Sequence, residues 1–159
     1  MRTRLLVVFA LLVLAGCAAL PINAMPPKVS VANIDIKSLG LFEQHFDVSL
    51  RLANPNDFDL GIEALDFELE LNGRPFAKGL AHSATLIPAA SSVVLRVDAV
   101  TQSENLIQQI RILPPQMLRE GVPYRIKGRI RTDKSSSWLP FEQQGVYGGG
   151  EKKPEGIAI

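Results

Sequence analysis

Few side chains in this chain are placed to do chemistry. Of 159 residues, Cys17 is the sole cysteine, and His45 and His82 are the only histidines. A lone thiol has no partner for an intramolecular disulfide. Neither histidine has a second ligand type at metal spacing, and there is no Cys-x-x-Cys or His-Glu-x-x-His, so no metal and no cofactor are expected. Both histidines read as surface or edge residues. Ser135-Ser136-Ser137 follows Lys134 in what reads as a hairpin loop, without the Gly-x-Ser-x-Gly elbow that activates a serine nucleophile. Gly148-Gly149-Gly150 lacks the strand–loop–helix setting of a phosphate cradle. No catalytic constellation emerges, and the expectation is a non-enzyme.

Cys17 has a more specific context. Arg2 and Arg4 precede an apolar run from Leu5 to Leu14, and Leu14-Ala15-Gly16-Cys17 closes it. A short positive segment, an apolar core and small residues form the layout of a secretory signal. The core is too short for a spanning helix, which needs about 20 apolar residues. Ordinary cleavage beside Gly16 and Ala18 would leave the position of the only cysteine unexplained. Leu14-Ala15-Gly16-Cys17 resembles the bacterial lipobox, in which the cysteine sulfur receives a diacylglycerol and becomes the first mature residue. That resemblance implies a signal peptide over residues 1–16, membrane lipid as a partner through acylated Cys17, and lasting attachment, since two or more chains anchor stably. Ala18, where an aspartate would favour the inner membrane, points by the same resemblance to the outer membrane, facing the periplasm.

Removing residues 1–16 takes Arg2 and Arg4 away and leaves 15 of the 17 basic side chains against 16 acidic ones. So balanced a chain is not expected to bind nucleic acid, which selects markedly basic surfaces. Its charges are nevertheless patterned. Arg125, Lys127, Arg129 and Arg131 alternate along one segment and share a face, as do Asp66, Glu68 and Glu70 along another. The plainer reading is two solvated sheet faces, on neighbouring strands of complementary charge. The functional alternative is a basic stripe that meets anionic lipid headgroups or lipopolysaccharide.

The elements that position these residues are mostly strands. Residues 17–28 carry three prolines and no periodicity, and read as a lipidated tether. Period-two alternation then appears at Val29, Val31, Ile34 and Ile36 with an irregularity near Asn33, at Phe46 to Leu52, and at Ile62 to Leu71. Asn72-Gly73 is a hairpin signal, with a returning strand expected from about Arg74 to Leu86. Further strands fall at Ser92 to Ala99, Val122 to Ile130 and Trp138 to Gln144. One helix interrupts the series. Thr101 and Glu104 have capping-box spacing, Leu106, Ile107, Ile110 and Leu113 recur with helical period, and Pro114-Pro115 ends the run. A short helical turn at Gln116 to Arg119 is expected, ended by Gly121. The predicted architecture is all-β: an immunoglobulin- or fibronectin-III-like antiparallel β-sandwich of about seven strands with one short α-helix, over residues 29–147, followed by a disordered tail at 148–159.

Asn54-Pro55-Asn56 lies between two of the strongest strands. Pro55 holds Asn54 extended and ends the strand, and the asparagines bond nearby backbone readily. Physics alone specifies a turn. The strand Phe46 to Ala53, this turn, the strand Ile62 to Gly73, then Phe76-Ala77-Lys78-Gly79 and Ile87-Pro88-Ala89 together resemble the type 2 late embryogenesis abundant family, whose unit is also called the WHy domain (water stress and hypersensitive response). The resemblance covers roughly residues 29–145. It implies a β-sandwich with one helix, an association with desiccation or other stress, and no established catalytic residues. Bacterial members are often lipoproteins. The function expected on this basis is non-catalytic envelope protection or maintenance. The alternatives are a periplasmic protein-binding or assembly module with an envelope protein partner, and a carrier of an apolar ligand.

Overall fold

The computed structural model describes residues 24–149, apart from 83 and 113. Eight strands are present among them: β1 (Lys28–Leu39), β2 (Glu43–Ala53), β3 (Leu60–Leu71), β4 (Arg74–Ala81), β5 (Thr85–Ile87), β6 (Ser92–Gln102), β7 (Val122–Thr132) and β8 (Leu139–Tyr147). Two helices, α1 (Ser103–Ile112) and α2 (Met117–Glu120), lie between β6 and β7. Every strand pairing is antiparallel.

The all-β expectation holds, with one change of architecture. The two sheets of a sandwich are joined here into a single sheet of order β1-β2-β6-β4-β3-β7-β8, with β5 on β3. The join is narrow, because β4 meets β6 only at Lys78↔Val100 and Gly79↔Ala99. Glycines on both sides of β3 permit close approach beside the join. Phe67 pairs with Gly79 on one side and Gly128 on the other. A Cβ at Gly79 would overlap the Phe67 ring, and one at Gly128 would overlap the backbone carbonyl of Asp66. Strand glycines mark close approaches of this kind.

Alternation drives the rest. Val48, Leu50 and Leu52 of β2, Leu65, Phe67 and Leu69 of β3, and Ile126 and Ile130 of β7 are buried and share one core. The Asn72-Gly73 hairpin forms as read, both residues at positive φ (49° and 72°), the geometry of a type I′ turn. The irregularity near Asn33 is a bulge between Val31 and Asn33. The returning strand expected over Arg74 to Leu86 is two strands, β4 and β5, pairing with different halves of β3.

The capping box is not formed. Thr101 stays in β6 opposite Gln44, 1% exposed, with no partner for its hydroxyl among the described residues. The β2–β6 ladder runs on to Glu43↔Gln102 and holds Thr101 extended, so α1 begins at Ser103 instead. Tertiary pairing here overrides the local capping signal.

The two sheet edges, β1 and β8, approach each other and are bridged by phenols. The Tyr147 hydroxyl accepts from Ile34 N (3.1 Å) and donates to Asn33 Oδ1 (3.0 Å), and the Tyr124 hydroxyl accepts from Val31 N (3.2 Å). Tyrosine thus satisfies edge amides that would otherwise be open to another strand. Tyr147→Phe is expected to cost about 1–2 kcal/mol and to speed hydrogen exchange selectively at Ile34. Unchanged exchange at that amide would show that the phenol does not hold the seam.

Candidate functional site

Asn54-Pro55-Asn56 forms the most densely bonded polar site in the described structure. Both asparagines are buried. Asn54 Nδ2 donates to the carbonyls of Phe58 (2.7 Å), Ile87 (3.2 Å) and Pro88 (3.2 Å). Its Oδ1 accepts from Asn56 N (3.0 Å) and Asn56 Nδ2 (2.8 Å). Backbone bonds reinforce the junction: Asn54 N to Ser91 O, and Ala90 N to Asn56 O. Ala90, at φ 48°, occupies the left-handed region under that constraint. One side chain thereby ties the turn after β2 to the turn after β5.

Asn56 reaches further. Its Oδ1 accepts from Met25 N (2.9 Å) and its Nδ2 donates to Met25 O (2.9 Å), a reciprocal pair that mimics a step of β-ladder. Pro27 is buried just beyond. The segment expected to be tether over 17–28 is therefore docked from Met25 onward, because the amide of Asn56 takes both backbone groups of one residue. Sequence reasoning found this turn but not its partner, since Met25 carries no side-chain signal for it.

The charge ladders meet. β3 and β7 pair Asp66↔Arg129, Glu68↔Lys127 and Glu70↔Arg125. Arg129 grips Asp66 through Nη2 (2.5 Å) and Nε (3.3 Å) and lies 5.2 Å from the centre of the Trp138 ring. Lys127 approaches Glu68 (3.3 Å) and Glu70 (3.6 Å), Arg125 binds Glu142 (2.8 Å), Lys78 binds Glu68 (2.8 Å) and Arg131 binds Glu63 (2.8 Å). The Arg125, Lys127, Arg129 and Arg131 row is thus compensated by carboxylates from β3 and β8. Such exposed pairs are screened by solvent, and each adds little to stability. A groove of about 740 Å³ runs across this face, lined by Asp66, Glu68, Lys78, Lys127, Arg129 and Glu142.

Lys78 and then Lys127 hold the Glu68 carboxyl below its ordinary range. A second cluster sits on β1, β2 and β6, where Lys37 pairs with Asp98 and His45 Nδ1 lies 3.2 Å from the same carboxylate. Those contacts, Lys37 first, lower Asp98 and raise Lys37. Burial pushes Asp133 up, but Lys134 and the Gly61 N–H outweigh it and leave the carboxyl lowered. A lowered carboxyl contributes stability that is present above its unfolded pKa and is lost as pH falls through the folded one. Thermal stability is therefore expected to hold down to about pH 4 and to drop below it. Glu68→Gln should flatten that acid limb, and an acid limb unchanged in the variant would remove Glu68 from the account.

Among the described residues no group of three or more histidine, cysteine, aspartate or glutamate side chains is arranged to hold a metal. His82 is exposed, apart from the His45 cluster. Ser135 and Ser137 bond each other across the β7–β8 turn. Leu14, Ala15, Gly16 and Cys17 lie outside the described residues, as do Gly150 and the rest of the tail.

A family model described as late embryogenesis abundant protein matches residues 49–145. No curated protein sequence matches the chain. Among solved structures, the chain is similar to the solution structure of an Arabidopsis thaliana protein, at 17% identity and a TM-score of 0.61, over 87% of this chain and 92% of that one. It is also similar to the solution structure of a putative late embryogenesis abundant protein (17% identity, TM-score 0.39, 91% and 84% of the two chains) and to an Archaeoglobus fulgidus protein (15%, 0.42, 77% and 99%). At these identities the likeness is one of fold, and the first of the three carries it.

Proposed function

The chain belongs to the late embryogenesis abundant protein family, and from that membership we propose that it is a non-catalytic water-stress-protection protein of the WHy type, held at a bacterial envelope through acylated Cys17. The anchoring part is supported by Leu14-Ala15-Gly16-Cys17 behind its apolar run, and the periplasmic, outer-membrane placement by Ala18. The protective part is carried by the β3–β7 face, where the charges are matched across strands. As water is withdrawn the effective dielectric falls and Coulomb attraction between such pairs grows. A surface of matched pairs keeps its fold and its polar character under conditions that penalise unmatched charge. Neighbouring proteins near the membrane then meet a polar surface rather than one another. Deletion of the gene, followed by drying and osmotic challenge, tests the role. Reduced survival, restored by the intact chain but not by a Cys17→Ser variant, is the expected result. Equal survival of deletion and parent would end this reading.

A second reading, a binding or assembly module, is favoured by a separate observation: Leu41 and Phe42 stand exposed together at the β1–β2 turn. For the apolar-carrier alternative, the space between the two halves of the sheet is filled by Leu50, Leu52, Leu65, Leu69, Ile126 and Ile130, all at most 1% exposed.

A further inference from the structure

The end of the sheet away from Met25 carries Ile36, Leu39, Leu41, Phe42, Ile107 and Val146, each at least half exposed. Leu41 and Phe42, at the β1–β2 turn, are 90% and 83% exposed. They are not the outer side of a loose loop. Buried Gln44 donates through Nε2 to Gly40 O (2.9 Å) and to Ser103 Oγ (2.8 Å). Ser103 Oγ donates to Leu41 O (3.0 Å), Ser103 N donates to Phe42 O (3.0 Å), and Gly40 N donates to Glu43 O (3.0 Å). The carbonyls of three consecutive residues are held from beneath by β2 and the start of α1, so the two apolar side chains are presented outward by a built support. Clustered exposed apolar residues on such a support mark an interaction surface.

The tether limits what the tip can meet, and so this step rests on the reading that Cys17 is acylated. Asn56 fixes the chain at Met25, at the opposite end of β1 from the tip. Cys17 to Met25 is eight residues, at most about 28 Å when fully extended. β1 alone is roughly 36 Å long. The tether is too short to let the molecule stand upright on its tip on the leaflet that anchors it, and the carboxylates of Glu43 and Glu104 beside Leu41 and Phe42 oppose contact with anionic headgroups, so a protein is the better-matched occupant. Glu43 and Glu104 line the same shallow hollow of about 260 Å³ as Leu41 and Phe42, which sets the charge of the complementary surface. We propose that this end docks into an envelope protein presenting an apolar groove with a basic rim, with Leu41 and Phe42 as the inserted anchors.

The test replaces Phe42 by the photocrosslinker p-benzoylphenylalanine in the full chain, in living cells, with the same replacement at Asp57, at the tether end, for comparison. A single protein adduct from the Phe42 site, absent from the Asp57 site and reduced at least about tenfold by Glu43→Lys with Glu104→Lys, is the expected result. Phe42 packs against nothing the fold needs, so its replacement leaves folding intact, and a melting curve checks this for the charge variants. Adducts to phospholipid, to a second copy of the chain or to a scatter of many proteins would overturn the proposal, as would no adduct at all. An adduct indifferent to the charge reversals would overturn the basic rim. The mass of the N-terminal peptide from the same cells reads acylation separately, so a failed anchor and a failed docking site are told apart.

Discussion

Replacing Asn54 by alanine is expected to destabilise the protein by about 3–5 kcal/mol, because several buried polar groups lose their partners together. The side chain donates to the carbonyls of Phe58, Ile87 and Pro88 and accepts from both nitrogens of Asn56. Each buried group left unsatisfied costs about 1–3 kcal/mol. Asn54→Asp should be no better, since it removes the donor and sets a buried carboxylate against carbonyl oxygens. Asn56→Ala should cost less overall and act at a different place. It releases Met25, so a protease acting on residues 24–28 should cleave the variant under conditions that leave the parent intact. Urea unfolding of the three variants measures the ranking. A loss under about 1 kcal/mol for Asn54→Ala would mean that the turn is held by its backbone bonds alone.

Gly128→Ala is expected to be as damaging, at about 3 kcal/mol or more, or to prevent folding. The new methyl would lie within overlap distance of the Asp66 carbonyl oxygen and 2.9 Å from Phe67 Cα, both backbone atoms of the partner strand, with Phe141 Cζ at 2.8 Å. Side chains give way by changing rotamer, but a paired strand does not. The β3–β7 ladder would have to open, and with it the ion pairs of Asp66 and Glu68. Gly73→Ala is the control: nothing lies within 4 Å of its Cβ position, and its cost should be only that of a positive φ. Thermal melts separate the two, and a Gly128 variant that melts like the Gly73 variant would show that the sheet coils without needing the glycine.

The strands were legible because burial on one side of a sheet writes itself as alternation. Phe46 to Leu52 and Ile62 to Leu71 form strands as their spacing predicts, and Asn72-Gly73 turns because both positions tolerate positive φ. The helix ended where its prolines required. Its beginning was misplaced, because a capping signal is local and the β2–β6 ladder that holds Thr101 extended comes from residues some sixty positions earlier. The charge rows of β3 and β7 were visible as rows, and their pairing followed once those strands became neighbours. The role of Asn56 was not visible, because its partner is a backbone.

What the amino-acid order determined alone is what depends on neighbours along the chain: strand periodicity, the hairpin, the end of the helix, and the motif that surrounds Cys17. What only the tertiary structure decided depends on which strands lie side by side. It made one sheet of two expected ones, because β4 pairs with β6 at Lys78↔Val100 and Gly79↔Ala99. It closed the edges with tyrosine hydroxyls, clamped Met25 with Asn56, and held Leu41 and Phe42 outward at the end opposite that clamp. Each of these is a contact between distant segments, whose strength comes from the exclusion of water when they meet, and no single segment carries that information.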